Sequence, residues 1–282
     1  MTTNAGLVDW AGVAHAPALL SVRIACLVPS LTELLFALGL GPQVVARTGF
    51  CVHPARVVRQ VPKIGGTKDP DLVRLRALAP THLIVNVDEN RRDVVEAARS
   101  FVPHVVVTHP TEPADNLRLF GLFGAIFGRE VEAANLASEF ADALAEAQAL
   151  AAMMPRERVM YLIWKDPWMT VTRATYVGAT LAAVGMDVVP STATATARYP
   201  VVGAGDAAWH EADRILLSTE PYAFRHRDRL ALAAATGRPV ALIDGEWTSW
   251  YGARAGTGLR ALTKWRMHGS ATWHDGSPTG GR

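Results

Sequence analysis

The sequence predicts an α/β protein built as two wound α/β lobes that are joined by one long helix. Three observations favour this fold class. Short apolar segments alternate with helical segments in both halves of the chain, a long Ala- and Glu-rich stretch separates the halves, and 282 residues exceed the usual size of one compact domain. Strands that alternate with helices along a chain are typical of parallel, wound sheets.

The first half of the chain begins with a buried strand. Residues 23–28 (RIACLV) form a largely apolar run, which is typical of a parallel strand covered on both faces. Ser30 and Glu33 follow with the S-x-x-E spacing of a capping box, so we expect a helix to begin there. The same alternation predicts further strands over 44–48, 82–86 and 105–109 and helices over 71–78 and 89–100.

A change of character at residue 111 marks the connection between the two halves. Two helices are predicted here, over 115–127 and 130–153. The second contains no Gly or Pro, and at 1.5 Å per residue it would be about 36 Å long. A helix of that length suits a rigid connector better than an element inside a small lobe.

The second half resumes the alternation. Strands are predicted over 158–164, 169–172, 214–218 and 240–244, and helices over 176–184, 229–235 and 254–265. We therefore divide the chain into an N-terminal extension (1–21), an N-terminal lobe (22–112), connecting helices (113–155), a C-terminal lobe (156–266) and a flexible Gly/Ser/Pro-rich tail (267–282).

Composition and charge exclude several classes of protein. The formal net charge is only +2, and no basic stripe favours nucleic acid as a partner. No run of about twenty apolar residues predicts a membrane span. The first residues lack a basic region, and Asp9, His15 and Pro17 interrupt their apolar character, so we expect no secretory signal and a cytoplasmic location.

Motifs for catalysis are missing from the sequence, and we therefore expect a protein without enzymatic activity. It contains no phosphate-binding loop, no dinucleotide fingerprint, no H-E-x-x-H and no G-x-S-x-G. The most pointed pair is Cys51 and His53, which would face the same side of an extended segment and could offer a thiolate and an imidazole to a metal. The alternative is a loop cysteine and a turn histidine without a metal.

Two aromatic segments follow predicted strands of the second half. Residues 164–170 (WKDPWMT) and 246–254 (EWTSWYGAR) mix aromatic, charged and Gly or Pro residues. Ligands of wound α/β folds bind beyond the carboxyl ends of the strands, so we predict that both segments line a binding cleft. The alternative is aromatic packing beneath loops. Arg254 would suit a carboxylate, amide or phosphate group of a ligand.

Four stretches of the sequence carry a family resemblance. RIACLVPSLTELLFALGLGPQVVARTGFCVHP and IGGTKDPDLVRLRALAPTHLIV resemble the substrate-binding proteins of vitamin B12 and iron-siderophore uptake systems, the helical-backbone metal-chelate receptors. YLIWKDPWMTV and LIDGEWTSWYGAR resemble the second lobe of the same family, nearest its cobalamin-binding branch. The resemblance implies no intrinsic cofactor and a cobalamin-like corrinoid or other metal chelate as the ligand, held in a cleft between the lobes. The ligand-binding positions that it implies are Pro29, Ser30, Phe50, Gly66, Thr67 and Lys68 in the first lobe and Trp168, Tyr199, Trp250 and Arg254 in the second.

One departure from the family bears on its partner. Transport members carry an acidic residue on each lobe that docks onto the membrane permease, and the matching positions here are Val73 and Gly205. We therefore expect a chelate-binding protein that is cytoplasmic or uncoupled from an ABC permease. Two alternatives stay open: a periplasmic component of an ABC uptake system for vitamin B12 or a ferric siderophore, and a cytoplasmic metal-handling protein or enzyme that uses Cys51 and His53.

Overall fold

The computed structural model describes residues 7–18, 21–191 and 197–268. The chain divides into two compact units. Unit 1 comprises Met1–Pro110, Ala114–Ala141 and Tyr251–Arg254, and unit 2 comprises Thr111–Pro113, Asp142–Trp250 and Ala255–Arg282. Residues 269–282 of the predicted flexible tail, and residues 1–6 and 19–20 of the predicted extension, lie outside the described residues.

Unit 1 contains a parallel sheet of four strands in the order β2-β1-β3-β4. Its apolar core packs around the buried side chains of these strands, among them Ala25, Leu83 and Val105. The strands are β1 (Ile24–Cys26), β2 (Val44–Arg47), β3 (His82–Asn86) and β4 (His104–Thr108). The helices are α1 (Pro29–Ala37), α2 (Ala55–Val58), α3 (Leu72–Ala77), α4 (Arg92–Arg99) and α5 (Asp115–Phe127).

The start of α1 differs from the predicted capping box, which is wrong. Val28 is the N-cap residue and makes no side-chain capping hydrogen bond. Because proline is favoured at the first helical position, where its missing N–H costs nothing, Pro29 begins the helix. Ser30 therefore lies inside the first turn, and the Glu33 carboxylate forms an ion pair with Arg254 instead.

An N-terminal segment covers the outer edge of β4. The Trp10 N–H donates to the Val107 carbonyl at 3.1 Å, and the Val107 N–H donates to Asp9 Oδ2 at 3.0 Å. The same Asp9 oxygen lies 3.0 Å from Nε2 of His15, and both side chains are buried. A carboxylate thus takes the place of a neighbouring strand at a sheet edge that would otherwise present an unpaired N–H.

The longest helix is α6 (Glu130–Met153), which has the predicted bounds. The division between the two units falls within it, after Ala141. In unit 1, α5 ends at Gly128 in the left-handed conformation, and α5 approaches α6 closely at Gly124, where a Cβ would lie 2.7 Å from that of Ala133. Glycine is therefore required at 124 for these two helices to pack.

Unit 2 contains a second sheet, in the order β6-β5-β8-β9, with β7 also paired to β5. Only β6 is antiparallel to its neighbour. The strands are β5 (Glu157–Trp164), β6 (Met169–Thr170), β7 (Met186–Val188), β8 (Arg214–Ser218) and β9 (Val240–Ile243). The helices are α7 (Tyr176–Ala183), α8 (Ala208–Glu211), α9 (His226–Thr236), α10 (Glu246–Ser249) and α11 (Ala255–His268).

These elements confirm the predicted α/β class with two wound lobes. Sequence analysis missed β7, α2, α8 and α10, which have three or four residues each and are too short to show a hydrophobic period. Within the described ranges, no helix combines the length and the apolar character that crossing a membrane requires.

The buried imidazole of His82 predicts how the stability of the fold depends on pH. Burial, together with the neighbouring His104 and His15, lowers the pKa of His82 to about 4, and its ring stacks on His104 at 4.7 Å. In the unfolded chain this group titrates near pH 6.5. Between pH 6.5 and 4 the unfolded chain therefore binds more protons at this group, so His82 should lower the free energy of unfolding as the pH falls, by at most about 3 kcal/mol.

Urea unfolding of the wild type and of His82→Gln across this pH range measures the effect. We expect the variant to lose most of the pH-dependent difference. His210→Gln, at an exposed position of α8, is the matched control and should retain the wild-type slope. Equal slopes for the wild type and His82→Gln would show that His82 is not the group responsible.

Candidate functional site

Several predicted ligand positions of unit 1 lie together at the carboxyl edge of its sheet. Pro29 and Ser30 follow β1, and Phe50 follows β2. The Gly49 N–H donates to the Gly65 carbonyl at 2.8 Å, which joins the Phe50 loop to the loop that carries residues 66–68. A Cβ built on Gly66 would lie 3.8 Å from the Phe50 ring. The structure therefore places the Gly66 backbone close to the Phe50 ring.

These positions differ in what they present to solvent. Phe50 is 63% exposed, and every other phenylalanine in the described part of the chain is buried or half-buried. Pro29, Gly66 and Thr67 are half-buried and Lys68 is exposed, whereas Ser30 is buried next to the Tyr251 hydroxyl. An apolar ring beside small residues and a lysine forms a surface suited to a partly apolar ligand with polar substituents.

Two buried polar residues that sequence analysis missed hold these loops. Arg47 is only 3% exposed, and its guanidinium donates to the carbonyls of Val61, Thr48 and Cys51 at 3.1–3.2 Å. The Asn90 side-chain amide donates to the Thr67 carbonyl at 2.8 Å. An arginine that ends an apolar strand was the available signal, because a buried guanidinium must find several acceptors.

The segment Tyr251–Arg254 packs within unit 1, although the residues on both sides of it belong to unit 2. The Gly252 N–H donates to Asn116 Oδ1 at 2.7 Å. Gly252 has φ +87°, and a Cβ there would lie 3.4 Å from the Ser30 carbonyl, so glycine suits this close approach. The Tyr251 hydroxyl donates to Glu89 Oε1 at 2.5 Å. Burial and the Glu89 charge raise the pKa of Tyr251 well above its usual value.

Arg254, predicted to contact a ligand, forms a bidentate ion pair with Glu33. Its Nε lies 3.0 Å from Oε2 of Glu33 and its Nη2 lies 2.8 Å from Oε1. The Arg254 side chain is 30% exposed and that of Glu33 is 17% exposed. The pair is therefore screened less than a surface ion pair, and it fixes Tyr251–Arg254 against α1. Whether Arg254 also contacts a ligand stays a prediction.

Cys51 and His53 occupy different environments. Cys51 is buried, with its Sγ 3.1 Å from the Thr32 hydroxyl and 3.2 Å from the Thr48 hydroxyl, whereas His53 is half-buried. Burial raises the pKa of the Cys51 thiol. Across the described part of the chain, no three His, Cys, Asp or Glu side chains are grouped to hold a metal ion. Metal ligation by Cys51 and His53 stays a prediction.

In unit 2 the segments of Trp168 and Tyr199 are paired. The Val202 N–H donates to the Trp168 carbonyl and the Thr170 N–H to the Pro200 carbonyl, at 2.9 and 3.0 Å. Trp168 is half-buried, and part of its side chain packs against the core of unit 2. For that part, the alternative interpretation of aromatic packing applies. Tyr199 is 36% exposed. The structure thus brings these two predicted positions onto adjacent extended segments.

Trp250 follows α10 and is buried, at 8% exposure. α10 is held at the carboxyl edge of the second sheet by three hydroxyl groups. Tyr161 on β5 donates to Ser218 Oγ at the end of β8, at 2.9 Å, and lies 2.6 Å from Thr248 Oγ1 on α10. Burial raises the pKa of Tyr161, which keeps its hydroxyl protonated. These hydrogen bonds fix the position of α10 and therefore of Trp250, which follows it.

The two positions that the family resemblance aligns with permease-docking residues of other members lie at the surface. Val73 on α3 is 82% exposed. Gly205 lies in an exposed turn beside Asp206, whose carboxylate accepts a hydrogen bond from the Gly203 N–H at 2.6 Å. An exposed carboxylate therefore stands one residue from the second position, although the position itself is glycine.

The Glu33–Arg254 pair predicts a stability effect. Arg254→Met should lower the free energy of unfolding by about 1–3 kcal/mol, because it leaves a largely buried carboxylate without its guanidinium. The double variant with Glu33→Gln should recover part of that loss, which a double-mutant cycle in urea would measure. Arg91→Met, in the exposed pair with Asp93, is the control and should show no measurable change. Additive effects of the two changes would show that the pair does not hold the segment.

Burial of the thiols predicts slow chemical modification. Cys26 and Cys51 are both buried and free, and only a thiolate reacts with an aromatic disulfide reagent. Native protein at pH 8 should therefore react far more slowly than protein unfolded in guanidinium, in which both thiols should react. Fast reaction of one thiol in the native protein, absent from Cys51→Ser, would contradict the burial of Cys51 and favour the metal interpretation.

The fold is shared with solved structures of other proteins. A periplasmic heme-binding protein, RhuT from Roseiflexus sp. RS-1, is 22% identical with a TM-score of 0.73, over 88% of this chain and 98% of that one. The periplasmic vitamin B12 binding protein BtuF of Vibrio cholerae is 16% identical with a TM-score of 0.73, over 87% and 96%. A periplasmic heme binding protein from Pseudomonas aeruginosa is 16% identical with a TM-score of 0.75, over 88% and 93%.

Solved structures of such low identity show the fold only, whereas a match to a protein family assigns the chain to that family. A comparison with curated proteins finds no match. The family described as periplasmic binding protein matches residues 24–231, which take in the whole sheet of unit 1, helix α6 and most of unit 2. Because this match covers well over half of the 282 residues, the chain belongs to the periplasmic binding protein family.

Proposed function

We propose that this protein is a non-enzymatic, periplasmic substrate-binding protein that captures a metal chelate for an ABC-type uptake transporter. The observation that carries the proposal is the surface at the carboxyl edge of the first sheet, where the exposed Phe50 ring lies beside Gly66. Buried Arg47 and Asn90 hold the loops of this surface, so it is formed in advance of binding.

The relatives support a metal chelate as the ligand. Of the three structures described above, two are named as heme-binding and one as vitamin B12 binding, and both ligands are metal macrocycles with large apolar surfaces. The family resemblance in the sequence implies the same class of ligand at Pro29, Ser30, Phe50 and Gly66–Lys68. The placement of the chelate in a cleft between the lobes stays a prediction.

Family membership supports a transport role better than the cytoplasmic, uncoupled role that the sequence favours. The argument against transport rests on Val73 and Gly205, which are not acidic. Asp206 weakens that argument, because its exposed carboxylate lies next to Gly205 and could meet a cationic permease surface. Val73 remains a departure on the first unit.

Titration of the purified protein with cyanocobalamin, hemin and ferrioxamine B tests the proposal. We expect saturable binding of at least one of these chelates, seen as a change in its visible spectrum or as quenching of tryptophan fluorescence. Phe50→Ala should weaken that binding by more than about 1 kcal/mol, which is about fivefold or more. A bound ligand would cover the exposed ring, and the variant lacks the apolar area that this contact buries.

The control for Phe50→Ala is Val131→Ala, which alters an apolar side chain that is 72% exposed on α6 of the same unit. It should leave the affinity unchanged. No response to any of the three chelates would contradict the proposed function. Binding with unchanged affinity in Phe50→Ala would keep the function but remove this surface from the site.

A further inference from the structure

The two cysteines of the chain lie close together in the interior of unit 1. Cys26 ends β1, Cys51 lies in the loop after β2, and both are buried and free. In the sheet Cys26 is opposite Arg47, the last residue of β2, and the Cys51 N–H donates to the Thr48 carbonyl at 3.3 Å. The chain therefore turns back after β2 and brings Cys51 towards the end of β1.

One hydroxyl group of α1 is in contact with both thiols. Thr32 is fully buried, and its hydroxyl lies 3.1 Å from Cys51 Sγ and also hydrogen-bonds to the Cys26 thiol. The Thr32 hydroxyl and the Cys26 thiol both donate to the Val28 carbonyl, at 2.9 and 3.3 Å. A chain with only two cysteines thus places both of them beside the same side chain, from segments that the sequence keeps apart.

The surroundings of the two thiols differ in how they treat a thiolate. Burial raises the pKa of the Cys51 thiol, but hydrogen bonds with Thr32 and Thr48 and the charge of Arg47 act in the opposite direction. Burial also raises the pKa of Cys26, and there the neighbouring Cys51 adds to the effect of burial. Because the thiolate is the attacking species in thiol–disulfide exchange, Cys51 suits the first attack and Cys26 the second.

We propose that Cys26 and Cys51 form a reversible disulfide cross-link that fixes the loop carrying Phe50 to β1. The Cys51 thiolate attacks a small disulfide oxidant, such as oxidised glutathione, and forms a mixed disulfide while one glutathione thiolate leaves. The Cys26 thiolate then attacks Cys51 Sγ, which forms the protein S–S bond and releases the second glutathione thiolate. The two cysteines lose two electrons to the oxidant, and their two protons end on the two glutathione thiols.

The burial of the pair decides when the cross-link forms. The oxidant reaches the thiols while the Phe50 loop is open, either during folding or in a local opening of the folded protein. An uncharged disulfide suits a dry site in which thiolates are unfavourable, and the same burial protects it from reduction. The inference goes beyond the proposed function, because it concerns the fold of unit 1 and needs no chelate. The proposed periplasmic location is a compartment in which disulfides persist.

A redox equilibrium on the full-length protein tests the cross-link. Reduced and oxidised protein are each diluted from urea into mixtures of reduced and oxidised glutathione, with and without concentrated urea. Acid quenching and intact mass then give the fraction that has lost two hydrogen atoms. We expect the cross-link to be at least about 100-fold more stable towards glutathione in the folded than in the unfolded protein, because the fold holds the two thiols together.

Cys26→Ser and Cys51→Ser are the matched controls. Each retains one thiol and should form only a mixed disulfide with glutathione, whereas peptide mapping of the wild type should join Cys26 to Cys51. A cross-link that is no more stable in the folded than in the unfolded protein would overturn the inference. The wild-type comparison carries this test even if a serine variant does not fold.

Hydrogen exchange of the oxidised and reduced protein tests whether the cross-link fixes the loop. The amides of residues 49–53 should exchange several-fold more slowly in the oxidised protein, and those of β8 in unit 2 should serve as the unchanged internal control. Equal exchange over residues 49–53 would overturn the effect on the loop. None of these measurements uses a chelate, so failure of the cross-link leaves the proposed function standing, and absence of chelate binding leaves the cross-link standing.

Discussion

Buried polar side chains at the carboxyl ends of the strands are the constraint on which the candidate surface of unit 1 depends. A parallel sheet delivers its loops to one edge but does not fix their shape, because the backbone groups beyond the last ladder hydrogen bond have no strand partner. Arg47 supplies donors to three carbonyls of two loops, and Asn90, in the loop after β3, binds the second of these loops through the Thr67 carbonyl. With these acceptors satisfied inside the protein, the exposed Phe50 ring is held at low entropic cost, which favours binding.

In unit 2, different polar groups hold the segments at the carboxyl ends of the strands. Hydroxyl groups of Tyr161, Ser218 and Thr248 join β5, β8 and α10, and the Asp228–Lys165 pair joins the first turn of α9 to the turn after β5. Neutral hydroxyls bury at little cost once hydrogen-bonded, whereas the Asp228 carboxylate, whose side chain is 6% exposed, needs the Arg225 N–H and the partly exposed Lys165 ammonium to stabilise its charge.

The elements that local sequence determines are the ones that could be predicted. β3, β8, α5 and α6 have the predicted bounds, because each carries a sustained apolar pattern and ends at Gly, Pro or polar residues. The start of α1 fails for an instructive reason: Ser30 and Glu33 have capping-box spacing, but Pro29 already begins the helix, so the serine lies one residue too far inside. Short elements such as β7 depend on pairing with β5, which no local pattern encodes.

The candidate site likewise has a part that the sequence could predict and a part that it could not. Phe50 and Gly66, two ligand positions that the family resemblance implies, lie close together because the hydrogen bond from the Gly49 N–H to the Gly65 carbonyl joins their loops. Residue type alone does not say whether a charged group meets a ligand or another residue of the protein. Arg254 and Glu33 are 221 residues apart, and the sequence offers no sign that they form a bidentate pair. A guanidinium that suits a ligand carboxylate suits a protein carboxylate equally well.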